Sequence, residues 1–122
     1  MNQPDFRRLN HVLDHIDRIG GYTNGGRPDL DEDPRTQDAV LYCLTVIGEA
    51  LGALTPDVYE LLDSLPPHLP KGQRSIIVHE YWRVDPDIVW ATIEKDLPRL
   101  RDDIERALRE STVEPRRIGR KT

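Results

Sequence analysis

At 122 residues the chain is the size of one domain, long enough to bury about 65% of the surface its unfolded form exposes. No stretch approaches the ~18 apolar residues of a membrane span. Met1-Asn2-Gln3-Pro4-Asp5 carries no secretory signal, so a cytoplasmic protein without membrane attachment is expected. The single Cys43 excludes an internal disulfide and a multi-cysteine metal site, and a net charge of −5 excludes a nucleic-acid binder that is basic all over.

The charge is uneven. Arg116, Arg117, Arg120 and Lys121 against Glu114 put residues 111–122 at +3 and leave residues 1–110 at −8 of the total −5. A helical domain over 1–110 and a basic, flexible C-terminal tail over 111–122 are expected. Phe6, Leu9, Val12, Leu13, Ile16 and Ile19 recur at three- and four-residue steps, which predicts an amphipathic helix ended by Gly20-Gly21. Residues 22–31, with Asn24-Gly25-Gly26 and Arg27-Pro28, read as a polar loop.

Asp33-Pro34 predicts an N-cap with proline at the first helical position, where its absent N–H costs little. The second helix then buries Ala39, Val40, Cys43, Leu44, Ile47, Ala50, Leu51 and Leu54. Thr55-Pro56 repeats the cap signal and opens a short helix with Val58, Leu61 and Leu62, which the prolines of Leu65-Pro66-Pro67-His68-Leu69-Pro70 break. A short apolar segment, 74–82, follows. Asp85-Pro86 starts a last long helix through Ile88, Val89, Ile93, Leu97, Leu100, Ile104 and Leu108. Pro98 is expected to kink it, because its ring removes the bond to the carbonyl of Glu94. No strand alternation, repeat or heptad occurs. The fold class expected is all-α, an up-and-down bundle of four main helices plus one or two short ones.

Chemistry concentrates in Arg74-Ser75-Ile76-Ile77-Val78-His79-Glu80-Tyr81. A fixed cation, an imidazole and a phenol within eight residues suit phosphodiester chemistry: Arg pairs with phosphate, and neutral His takes a hydroxyl proton. At about 100° per helical residue, Arg74 and Tyr81 return to nearly one face, whereas His79 lies about 140° from Arg74. Two such helices about a twofold axis would bring His79 of one chain toward Arg74 of the other. The same pattern also fits plain packing, with Ile76, Ile77 and Val78 as core and His79 as a hydrogen-bonded, half-buried histidine.

Arg74-x4-His79-x-Tyr81 resembles the signature of the HepT-like toxins, a branch of the HEPN superfamily of all-helical nucleases. The resemblance extends to Gln37-Asp38-Ala39-Val40-Leu41-Tyr42-Cys43-Leu44 with Ile47-Gly48-Glu49-Ala50, to Val84-Asp85-Pro86-Asp87-Ile88-Val89-Trp90 and to Asp96-Leu97-Pro98-Arg99-Leu100. In order, it covers residues 6–108. The family often carries Asn after the motif arginine, where this chain has Ser75, and a Pro-Trp pair before the motif, which is absent here. The resemblance implies a homodimeric, metal-independent endoribonuclease that acts on RNA as the toxin of a toxin–antitoxin pair. Its partner would be an MntA-like nucleotidyltransferase that transfers AMP to the motif tyrosine. Arg74 and His79 would then be catalytic, Tyr81 the modified residue, and Ser75 and Glu49 supporting. A helical dimer that serves the nucleotidyltransferase as a non-catalytic binding or substrate module is the alternative.

Other residues read more plainly. His11 and His15 sit four apart with no third ligand, so both are expected as surface residues, and neither metal nor cofactor is expected. Glu49 interrupts the apolar stripe of the second helix, either as a structural salt bridge or as a group that orients His79. Asp102, Asp103 and Glu105 beside Arg99, Arg101, Arg106 and Arg109 read as a solvated face with i,i+4 pairs.

Overall fold

The computed structural model describes residues 1–63 and 85–111. Regular structure among the described residues is helical throughout, with no strand. Helix α1 (Gln3–Tyr22) starts at Asn2, whose side-chain oxygen accepts the N–H of Asp5 at 2.7 Å, and buries Leu9, Val12, Ile16 and Ile19. It does not stop at Gly20-Gly21. Two glycines weaken a helix by only about 1 kcal/mol each, and buried Ile19 holds that turn in place. The stop is Thr23, whose backbone N–H and hydroxyl both bond the carbonyl of Ile19, at 3.0 and 2.8 Å.

The expected loop contains a helix, α2 (Arg27–Glu32). Its polar residues conceal local closure. Asp29 reaches back to accept the N–H of Gly25 at 2.6 Å, Arg27 pairs with Asp31 at 3.0 Å, and Leu30 anchors the turn in the core. Gly26 precedes it at φ 94°, ψ −166°, a conformation essentially closed to side-chain-bearing residues. Gly26→Ala is therefore expected to lower unfolding free energy by about 1–3 kcal/mol in urea titration.

Helix α3 (Pro34–Gly52) is capped as expected, with Asp33 accepting the N–H of Arg35 at 3.0 Å. Gln37 ties α2 to it by donating to the carbonyls of Leu30 and Asp31, at 2.9 and 3.2 Å. Val40, Leu41, Cys43, Leu44, Ile47 and Leu51 face α1 and the rest of the core. The two helices run antiparallel, since Asp5 meets Thr55 while His15 meets Tyr42. The short α4 (Pro56–Tyr59) follows, burying Val58, with Leu62 behind it and Leu61 exposed. Thr55 does not cap α4 with its side chain. Its hydroxyl instead donates to buried Asp5 at 2.7 Å.

Asp85 opens α5 (Pro86–Ala91) by accepting the N–H of Ile88 at 3.4 Å. The expected kink appears as a π turn over Thr92–Asp96, after which α6 (Leu97–Glu110) completes the described chain. Pro98 has no N–H for the carbonyl of Glu94, and the widened turn moves the ring off that carbonyl. Within it, the N–H of Leu97 bonds the carbonyl of Thr92, five residues back. Helix α6 buries Leu97, Leu100, Ile104 and Ala107, with α1 among the helices it packs against. No helix among the described residues is long and apolar enough to cross a membrane.

Candidate functional site

The motif residues Arg74, Ser75, His79 and Tyr81 lie outside the described residues, and so does the tail over 112–122. What is described is the framework at each end of the segment 64–84. On the leading side, Asp63 is held by α6: its N–H donates to Asp103 Oδ2 at 3.0 Å, and Arg106 reaches Asp63 at 3.4 Å and Asp103 at 3.3 Å. On the returning side, the Asp85 cap fixes the start of α5, and Arg27 of α2 pairs with Asp87.

Asp103 is therefore not part of a solvated face. It is 5% exposed and falls three residues after Leu100 and four before Ala107, inside the buried stripe. The i,i+4 pair that does form on α6 joins Arg101 to Glu105 at 3.6 Å, with Asp17 of α1 also 3.2 Å from Arg101. Glu49 likewise departs from expectation. It is exposed on α3, seven residues after Tyr42, itself 62% exposed, while Ile47, Gly48 and Leu51 are buried. It does not break the apolar stripe, and no cation pairs with it among the described residues.

Of the two histidines, His11 is exposed as expected and His15 is not, at 3% exposure. His15 Nδ1 lies 2.9 Å from the His11 carbonyl, which can only accept, so Nδ1 carries the proton. The rings meet edge-on at 4.4 Å. His15 is a core histidine satisfied by its own helix. No three His, Cys, Asp or Glu converge as metal ligands among the described residues.

Two further features are chemically quiet. A cavity of about 240 Å³ between α2, α3 and α5 is floored by Leu30, Leu41 and Val89, with Arg27, Asp31 and Gln37 at its polar rim. The Arg27 guanidinium is held even more firmly in its charged form by its hydrogen bond to Asp87, then by Asp31, and the Gln37 amide is spent on two carbonyls. Burial pushes the Cys43 thiol up, which keeps it protonated and a poor nucleophile.

The two buried carboxylates that organise the framework, Asp5 and Asp103, were missed by the sequence reading. Each is followed three residues later by an arginine, Arg8 or Arg106, that pairs with it. Each also occupies a position where its helix's apolar period calls for a hydrophobic side chain. That Asp-x2-Arg spacing inside a buried stripe was the available signal.

Compared with known families, residues 12–107 match the family described as Ribonuclease HepT-like. The chain belongs to the ribonuclease HepT-like family. The match runs from the middle of α1 to near the end of α6 and includes the segment carrying Arg74, His79 and Tyr81. A Methanocaldococcus jannaschii protein named "Gamma-glutamylcyclotransferase and putative RNase" is 31% identical over 103 residues, which are 84% of this chain and 46% of that protein. The chain thus spans about half of that relative's length. A "Putative RNase" of Caldanaerobacter subterraneus is 31% identical over 104 residues, covering 82% of this chain and 90% of the relative. "Probable ribonuclease HepT" of Thermococcus cleftensis is 32% identical over 74 residues, 61% of this chain and 67% of that protein. No solved structure matches the chain.

Proposed function

We propose that this protein is a metal-independent endoribonuclease, the toxin of a toxin–antitoxin pair, acting through Arg74 and His79 at a site shared by two subunits. The observation that carries the reading is the family match across residues 12–107 together with an intact Arg74-x4-His79-x-Tyr81 in this chain. In this mechanism His79 takes the proton of a ribose 2′-hydroxyl, whose oxygen attacks the adjacent phosphorus. The P–O bond to the 5′-oxygen breaks, and the leaving oxygen receives a proton from the second subunit's copy of the same histidine. The products are a 2′,3′-cyclic phosphate and a free 5′-hydroxyl. Arg74 binds the phosphate oxygens and offsets the charge that gathers on them. Ser75 and Glu49 support the site.

The homodimer supplies what the helical spacing of Arg74 and His79 does not, by letting the two groups come from different subunits. Sedimentation is expected to give twice the 14.1 kDa chain mass. An active monomer overturns the composite site. The test of the activity is cleavage of single-stranded RNA in excess chelator, with cyclic-phosphate ends on the products. Intact RNA under those conditions overturns the reading.

At about 100° per residue a helix would put Tyr81 on the Arg74 face, so AMP attached to its phenol would bring a phosphate beside that guanidinium and a nucleoside across the RNA path. An MntA-like nucleotidyltransferase with ATP is expected to add one or more AMP units to Tyr81 and to stop cleavage. Tyr81→Phe is expected to cleave RNA and to stay active after the same treatment; inactivation of Tyr81→Phe by the partner assigns the modification elsewhere.

A further inference from the structure

We propose that the cavity between α2, α3 and α5 receives one base splayed out of single-stranded RNA, of the kind that carries an exocyclic amino group. The RNA source rests on the ribonuclease reading; the chemistry of the pocket stands without it. No group lining the cavity can make or break a bond, but the space itself is unusual. Protein interiors close most voids larger than a water molecule, yet about 240 Å³ stays open here, room for about eight waters at ~30 Å³ each. Ties between three helices frame it. Gln37 of α3 donates to the carbonyls of Leu30 and Asp31, and Arg27 of α2 pairs with Asp87 of α5, 60 residues away. An apolar floor under a few fixed polar groups is the usual build of a small-molecule site. The volume falls below the ~300–1,000 Å³ of sites for drug-sized ligands and suits a single heterocycle.

The lining selects among heterocycles. Leu30, Leu41 and Val89 offer apolar contact to the face of a planar ring. At the rim one cation, Arg27, meets two carboxylates, Asp31 and Asp87, for a net of −1. A phosphate is repelled there and a neutral ring is not. Arg27 spends Nε on Asp31 and Nη2 on Asp87, and Gln37 spends its amide nitrogen. Among the described residues this leaves Arg27 Nη1 as a donor, with Asp31 Oδ1 and Gln37 Oε1 as acceptors. Adenine and cytosine match that set, with an amino N–H for an acceptor and a ring nitrogen for the guanidinium. Uracil presents a carbonyl oxygen where cytosine has its amino group, and two carboxylates nearby oppose it.

The test is titration of the whole chain, read from the NMR shifts of the Leu30, Leu41 and Val89 methyls. The probes are adenosine, uridine and a short oligoadenylate with 2′-O-methyl riboses, which lack the hydroxyl that starts cleavage. Adenosine is expected to shift those methyls with a Kd on the order of 10⁻⁴–10⁻³ M, and uridine to bind at least roughly fivefold more weakly. The oligoadenylate is expected to shift the same methyls. Asp31→Asn alters a partly exposed side chain and should fold readily. Its amide offers an N–H to the uracil oxygen, so the preference for adenosine is expected to vanish. Val89→Phe fills part of the space and is expected to remove the shifts at Leu30 and Leu41, with its melting temperature measured alongside. No saturable shift with adenosine, equal affinity for uridine, or an unchanged preference in Asp31→Asn each overturn the proposal. Shifts with adenosine but none with the oligoadenylate assign the cavity to a free nucleoside and overturn the RNA source. Failure to cleave ordinary RNA while the oligoadenylate still shifts the methyls supports the pocket and counts against the ribonuclease reading alone.

Discussion

His79→Ala is expected to cut RNA cleavage by at least ~10²–10⁴-fold, the typical contribution of one positioned acid–base group, because a base and an acid are both lost in the proposed mechanism, while the protein still folds. In the proposed mechanism, alanine removes both the base that activates the 2′-hydroxyl and, in the second subunit, the acid that serves the leaving oxygen. Both losses fall on the transition state, so kcat should drop with KM largely kept. Arg74→Ala should lower the rate too, with a rise in KM because the guanidinium holds the phosphate in the ground state as well. In cells, expression of the wild type alone is expected to arrest growth, and either variant to abolish the arrest. Undiminished cleavage by His79→Ala removes the histidine from the mechanism. Growth arrest that survives both substitutions favours the non-catalytic alternative.

Much of the framework was legible because it is set locally. Asp33 and Asp85 cap helices where a carboxylate precedes proline, and the apolar periods of α1, α3 and α6 mark the sides that are buried. The readings that failed depend on partners distant in sequence or on competing local terms. Gly20-Gly21 lost to the packing of Ile19 and the two hydrogen bonds that Thr23 donates to its carbonyl. The loop reading over 22–31 treated Asp29, Arg27 and Asp31 as solvated, whereas they close a turn on one another around Leu30. Thr55 has the composition of an N-cap, yet its hydroxyl is claimed by Asp5, 50 residues away, which no local rule anticipates. Pro98 was rightly read as a disruption, but propensity alone does not say whether the helix bends or widens. For the site, the spacing of Arg74, His79 and Tyr81 fits phosphodiester chemistry and plain packing alike, and these residues lie outside the described ones. The described framework adds where their segment is tethered, at Asp63 and Asp85.

Asp5→Ala is expected to be the most destabilising single change in the described framework, at about 2–4 kcal/mol. The Asp5 carboxylate is 0% exposed, yet it holds the Thr55 hydroxyl at 2.7 Å, the Thr55 N–H at 3.2 Å and Arg8 at 3.4 Å. Truncation strands two donors of Thr55 at the junction of α3 and α4, and an unpaired buried donor costs about 1–3 kcal/mol. It also leaves Arg8 without its anion and opens a small void beside the N-terminal turn of α1. In a domain of this size the melting temperature should fall by roughly 10 °C. Asp5→Asn keeps the volume and one accepting oxygen but turns an amide N–H toward a donor, so its loss should be intermediate. The pair can be isolated with Thr55→Ala: because both substitutions remove the bond from the Thr55 hydroxyl to Asp5, while the backbone N–H of residue 55 is kept, the double variant should be less impaired than the sum of the singles by about 1 kcal/mol. Additive losses, or an Asp5→Ala protein melting within about 2 °C of wild type, mean that the packing of α1 against α3 suffices and that the carboxylate clamp is incidental to stability.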